Sequence, residues 1–253
     1  MAMAVAGGLT LTVTPVPAQS PPANKIQLKC QTGVSKATAT FVKSKLKCAQ
    51  SCLGKARKTS GPYTGCKPPD YTDPKTNACI LDSEKGAEAK ASAKIDKGCA
   101  ADCPACYDGI FCPDSTVFVG AVEQELDFIG VQIYCREAAD ESPTKAEAKC
   151  EDTVAKSLAK FVGVKAKCYQ SCITAEFKGK IPANSCTAGS PSDVATQDCI
   201  TKAETKAAAS IDKVCVAVPG NPPCYAPGMS GAAWIAIGED AVDVVASAVY
   251  CGS

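Results

Sequence analysis

Apolar and cysteine positions recur at three- and four-residue intervals along most of this chain. Over residues 150–172, Cys150, Val154, Leu158, Phe161, Lys165, Cys168 and Cys172 follow that spacing, which puts them on one face of an α-helix. In the earlier stretch Cys30 and Cys48 are eighteen residues apart, five whole turns, so they share a face. Residues 79–99 and 199–215 are rich in Ala, Lys and Glu, all good helix formers. A third pair of segments, about 115–135 and 231–251, carries the stripes Val122, Leu126, Ile129, Ile133 and Trp234, Val242, Val245, Val249. Loops of Gly, Pro, Thr and Asp over 59–76 and 179–196 separate the first segments from the second. The pattern predicts an all-α protein with three helices per unit, the first two forming a hairpin.

The same pattern is seen twice. Adding 120 to Cys30, Cys48, Cys52, Cys66 and Cys79 lands on Cys150, Cys168, Cys172, Cys186 and Cys199, and 18 of those 50 aligned positions are identical. The register then slips by four, and Cys99, Cys106 and Cys135 correspond to Cys215, Cys224 and Cys251. Four residues is about one helical turn, so the deletion between Cys199 and Cys215 is expected to shorten a helix while nearly preserving its faces. Internal self-similarity of this kind predicts a tandem duplication. The expected organisation is a leader at 1–24, unit one at 25–135, a polar linker at 136–149 and unit two at 150–253.

Composition changes the picture chiefly through cysteine. The chain has 253 residues with 18 Cys and no His. An even, high cysteine count predicts cystines formed in an oxidising compartment. The missing His removes Ser-His-Asp and Cys-His nucleophile systems and His-ligated metal sites. Matched lengths of roughly 27 and 30 Å along the first two helices suggest the bonds Cys48–Cys79 and Cys30–Cys99, with Cys52–Cys66 and Cys106–Cys135 completing the set. Cys103 and Cys112 have no counterparts in unit two, so they are expected to pair with each other. Eight cysteines permit 105 connectivities, and Cys79 and Cys99 would face opposite ways in one ideal helix, so one is expected at a frayed or non-helical end.

Aromatics are only 6% of the chain, and the core is expected to be built from Ala, Val and Ile. The net charge of +1 gives no sign of a nucleic-acid partner. Residues 3–13 are small and apolar and are followed by Pro15, Pro17, Pro21 and Pro22. They resemble a signal peptide with a cut near Ala18–Ser20, although no Lys or Arg precedes them. An alternative is an exposed strand through Leu9, Leu11 and Val13. No apolar stretch reaches the roughly 20 residues needed to span a bilayer.

Three short motifs suggest chemistry, and the bland explanation outweighs each. Cys99, Cys103 and Cys106 have the spacing of the radical SAM cluster motif, but a helical chain lacks the barrel that motif needs. Cys103-Pro-Ala-Cys106 resembles a thioredoxin-like redox pair without its βαβ context. Ser44-x-x-Lys47 and Ser157-x-x-Lys160 fit an S-x-x-K string, without its partner motifs and at different places in the two units.

Charge is segregated as well. Residues 30–58 hold seven basic and no acidic residues, and 98–135 hold six acidic and no basic ones. Packing of the first helix beside the third, with diffuse ion pairs of small individual value, accounts for this. A head-to-tail contact between units or molecules is the alternative.

The expected function is a secreted, non-catalytic structural or binding protein without cofactor or metal. A second expectation is a small-ligand or lipid carrier, its cavity lined by Val34, Phe41 and Phe118 or by Val154, Phe161 and Trp234. A third is self-association into a filament or surface layer.

Overall fold

The computed structural model describes residues 22–59, 64–107, 112–135, 143–216, 222, 224–225 and 229–251. Most of the expected leader, including Leu9, Leu11, Val13 and the cut region, lies outside the described residues. Seven α-helices and no strand occur among the described residues. They are α1 (Lys25–Thr59), α2 (Pro74–Leu81), α3 (Ala87–Cys99), α4 (Thr116–Ile133), α5 (Lys145–Phe177), α6 (Val194–Cys215) and α7 (Gly231–Val249).

Local chemistry sets the helix starts. The Asn24 side chain accepts from the Ile26 and Gln27 N–H groups. Thr144 and Glu147 form a reciprocal capping box at α5. Asp73 and Asp193 each cap a helix by accepting from the backbone and hydroxyl of a threonine three residues on.

The long helices α1 and α5 pack antiparallel. Gln50 of α1 donates to the Asp152 carbonyl of α5 at 3.3 Å. At the other end the Tyr250 hydroxyl meets both Ser35 of α1 and Ala166 of α5. Helices α2 and α3 run back along α1, and α6 runs back along α5. Helices α4 and α7 then cover the pair.

One helix departs from expectation. The pattern over 79–99 predicts a single helix, but α2 stops at Leu81 and α3 starts at Ala87. The Asp82 carboxylate accepts from the Glu84 and Lys85 N–H groups at 3.1 and 2.6 Å, winding the extra residues into a turn. Gly86 is needed there, because a Cβ at that position would lie 2.5 Å from the Asp82 carbonyl oxygen. The break also loosens the helical register linking Cys79 to Cys99. Cys99 and Cys215 are the last residues of α3 and α6.

The core corrects a second expectation. Its rings are few, and among the described residues most of them are inside: Tyr71, Tyr107, Tyr134, Tyr169, Tyr225 and Tyr250 are buried with Trp234, Phe41, Phe118 and Phe161, while Phe128 stands exposed. Ala, Val and Ile fill the spaces between them. Tyrosine suits this interior because its ring supplies apolar area while its hydroxyl, in Tyr71, Tyr107, Tyr169, Tyr225 and Tyr250, bonds a neighbouring helix. Two apolar clusters form, and each draws on both sides of the 136–149 segment. One joins the C-terminal half of α1 and the end of α4 to the N-terminal half of α5 and Trp234. The other joins the N-terminal half of α1 and the start of α4 to the C-terminal half of α5 and the end of α7.

Candidate functional site

The cysteines are joined in pairs. The structure joins Cys30–Cys99, Cys48–Cys79, Cys52–Cys66 and Cys103–Cys112 in the first half. In the second it joins Cys150–Cys215, Cys168–Cys199 and Cys172–Cys186. The expected bond Cys106–Cys135 does not form. Cys106 is joined to Cys251, and Cys135 to Cys224, with Cα separations of 5.6 and 5.5 Å. The neighbouring tyrosines cross in the same way. Tyr107 donates to the Val249 carbonyl and Tyr225 to the Ile133 carbonyl at 2.9 Å. The halves therefore trade partners: the end of α4 lies in the cluster that holds the N-terminal half of α5, Tyr225 and Trp234, and the end of α7 lies in the cluster that holds Tyr107 and the start of α4. Cys103 and Cys106 bond elsewhere, so the C-P-x-C string forms no internal redox pair. No cysteine is free, and no group of three or more metal-ligating side chains forms among the described residues.

The second feature is a pair of buried ionic clusters. Lys45 on α1 is 1% exposed, and its Nζ lies 2.7 Å from both Glu123 and Asp127 of α4. Lys165 on α5 is equally buried, with its Nζ 2.7 Å from Glu239 and 2.6 Å from Asp243 of α7. Each aspartate also takes a tyrosine hydroxyl: Tyr71 to Asp127 at 3.1 Å and Tyr169 to Asp243 at 3.5 Å. These tyrosines come from different places, a loop and a helix.

A third carboxyl completes each cluster. Burial, then the hydrogen bond and charge of Glu123, pushes Glu88 up to about 8. Burial, then Glu239, pushes Glu204 up to about 7. Burial also raises Asp127 and Asp243, against the pull of the adjacent lysine. Packing of basic against acidic helices thus concentrates charge at two part-buried points, each on a fully buried lysine, instead of the diffuse surface pairs expected. Spacing could have singled out these positions, since Lys45/Lys165, Glu88/Glu204, Glu123/Glu239 and Asp127/Asp243 all correspond under the two offsets. Within each cluster the lysine, the carboxyls and the tyrosine hydroxyl bond one another. Their visible action is to clamp α1 to α4 and α5 to α7.

The third feature is concave surface. An apolar cleft of about 80 Å³ lies between α1, α4, α5 and α7, among Val42, Leu46, Leu126, Leu158 and Val242. The residues expected to line a carrier cavity are instead packed shut: Val34, Phe41, Phe118, Val154, Phe161 and Trp234 are all at most 6% exposed. On the outer side α1 and α5 wall a groove of about 1140 Å³. Lys36, Lys43 and Lys47 stand on one wall and Lys156, Lys160 and Lys167 on the other, with small residues such as Ala39, Ala159 and Gly163 between them. All six lysines are exposed, and the groove lining contains neither a carboxylate nor an aromatic ring.

These features define an all-helical, disulfide-rich protein, and no helix among the described residues is long and apolar enough to cross a membrane. No family model, curated protein or solved structure matches the chain.

Proposed function

We propose that this is a secreted, non-catalytic structural or binding protein built by tandem duplication of a disulfide-stapled helical unit. The units are residues 25–135 and 150–253, joined by 136–149 behind a cleavable leader. One observation carries this reading. The same lysine and three carboxyls recur in both halves and are spent on each other, holding helices together. Groups of this kind in an enzyme would face a cleft with a reactive atom left unpaired. Nine bridges fit an oxidising compartment outside the cytosol.

The test is intact mass after alkylation of the denatured, unreduced protein, with metal analysis alongside. No alkylated thiol and no metal are expected. Several free thiols or a stoichiometric metal would overturn the reading.

The carrier reading has one observation in its favour, the almost wholly apolar lining of the central cleft. At about 80 Å³ the cleft falls well below the roughly 300 Å³ at which small-molecule sites begin. Trp234 does not line it, so displacement of an apolar dye by fatty acid is the better probe. No displacement is expected.

A further inference from the structure

We propose that the groove between α1 and α5 binds a linear acidic polysaccharide. The inference rests on the reading above of a secreted binding protein and supplies its ligand class. The observation behind it is an arrangement of like charges. The register set by Gln50 with Asp152 and by Tyr250 with Ser35 and Ala166 puts Lys36 opposite Lys167. It puts Lys43 opposite Lys160 and Lys47 opposite Lys156. Three rungs of paired cations result, about 10 and 6 Å apart along a run of roughly 16 Å. On each helix the three lysines fall on one narrow stripe. None of the six makes an ion pair among the described residues, whereas Lys45 and Lys165, two residues from Lys43, Lys47 and Lys167 and so on the opposite, buried side of the same helices, are fully paired.

Facing cations across a groove raise the free energy of the empty protein. A chain bearing regularly spaced anions relieves that repulsion along its whole length. The groove chemistry favours a sugar acid polymer over a nucleic acid. Single-stranded nucleic acids are held by aromatic stacking platforms as well as by charge, and this lining has no ring. It offers instead Ser44, Gln50 and Gln170, which can bond sugar hydroxyls.

The experiment titrates the oxidised, full-length protein with a heparin octasaccharide, with neutral dextran and with an oligodeoxythymidylate of equal charge. Wild type is expected to bind heparin, to ignore dextran, and to bind the oligonucleotide at least about fivefold more weakly. Lys43→Glu with Lys160→Glu should weaken heparin at least about tenfold and lower the salt dependence by about two ions. Lys202→Glu with Lys206→Glu, exposed on α6, should change it less than about twofold. An equal loss in the two double variants, tighter binding of the oligonucleotide, or no heparin binding by wild type would overturn the proposal. Melting curves of both variants verify the fold. The alkylation result stands apart, so a failed groove leaves the non-catalytic reading to its own test.

Discussion

The two halves solve one packing problem with different parts. In the second half a single helix, α6, runs from Val194 to Cys215 along α5. In the first half four additional residues lie between the bridging cysteines, and the return path is broken into α2 and α3 around Asp82 and Gly86. The first half also carries the extra bridge Cys103–Cys112. The bridges Cys48–Cys79 and Cys168–Cys199, with Cα separations of 6.0 and 5.9 Å, nevertheless fall at the same points. Covalent and ionic anchors thus hold the geometry while the chain between them varies. The ionic anchors differ in dryness. The partners of Lys45 are 16% and 14% exposed, and those of Lys165 are 32% and 23% exposed.

The largest expected effect separates bridges that cross between halves from bridges that stay inside one. Cys106 and Cys251 are 145 residues apart, whereas Cys172 and Cys186 are 14 apart. Cys135–Cys224 already closes much of the longer loop, so Cys106→Ser with Cys251→Ser should cost about 4 kcal/mol, against about 3 kcal/mol for Cys172→Ser with Cys186→Ser. Denaturant unfolding without reductant measures both. Non-reduced peptide mapping should recover Cys106 linked to Cys251, and recovery of Cys106 with Cys135 would dissolve the crossed arrangement.

Next comes the lysine comparison. Lys45→Met strands two poorly hydrated carboxylates and should cost about 3 kcal/mol. Lys165→Met leaves better-hydrated partners and should cost about 1–2 kcal/mol. Equal losses would show that exposure of the partners does not set the value of the clamp.

The pH response is smaller and has a definite sign. Glu88 at about 8 and Glu204 at about 7 sit above their unfolded value of 4.5, so the folded state holds protons that the unfolded chain releases. Their contribution is full below about pH 4.5 and is lost as pH rises through 7 and then 8. The melting temperature should therefore fall from pH 5 to pH 8. Glu204→Gln should remove its share of the slope between about pH 4.5 and 7, and Glu88→Gln its share from about pH 4.5 to 8, including the part above pH 7. A melting temperature that rises over this range would contradict the assignment.

The smallest effect tests the break itself. Gly86→Ala should cost about 1–2 kcal/mol, because its Cβ meets the Asp82 and Ile80 carbonyl oxygens. Lys202→Ala, on the exposed face of the unbroken α6, should stay within about 0.5 kcal/mol. Thermal melts of the two variants decide whether the turn is constrained.

Periodicity and composition located the helices apart from the break between α2 and α3, since apolar spacing and helix-forming composition act within a few turns. It also carried the register of α1 against α3 and of α5 against α6, because Cys30 and Cys48 share a face and the return lengths match. The lysine stripes of the groove were present as a run of basic residues in α1, but their opposition needed the antiparallel register of α5. Tyrosine burial was hidden for a related reason, as a hydroxyl satisfied by a distant carbonyl leaves no local mark.

Partner exchange between Cys106, Cys135, Cys224 and Cys251 was beyond the sequence. Both candidate pairs share the same local context, Cys-Tyr at one end and Tyr-Cys at the other, so either pairing satisfies the pattern. Only the three-dimensional packing distinguishes them. The end of α4 buries Ile129, Ile133 and Tyr134 against α5 of the other half, and that non-local contact carries Cys135 within bonding distance of Cys224.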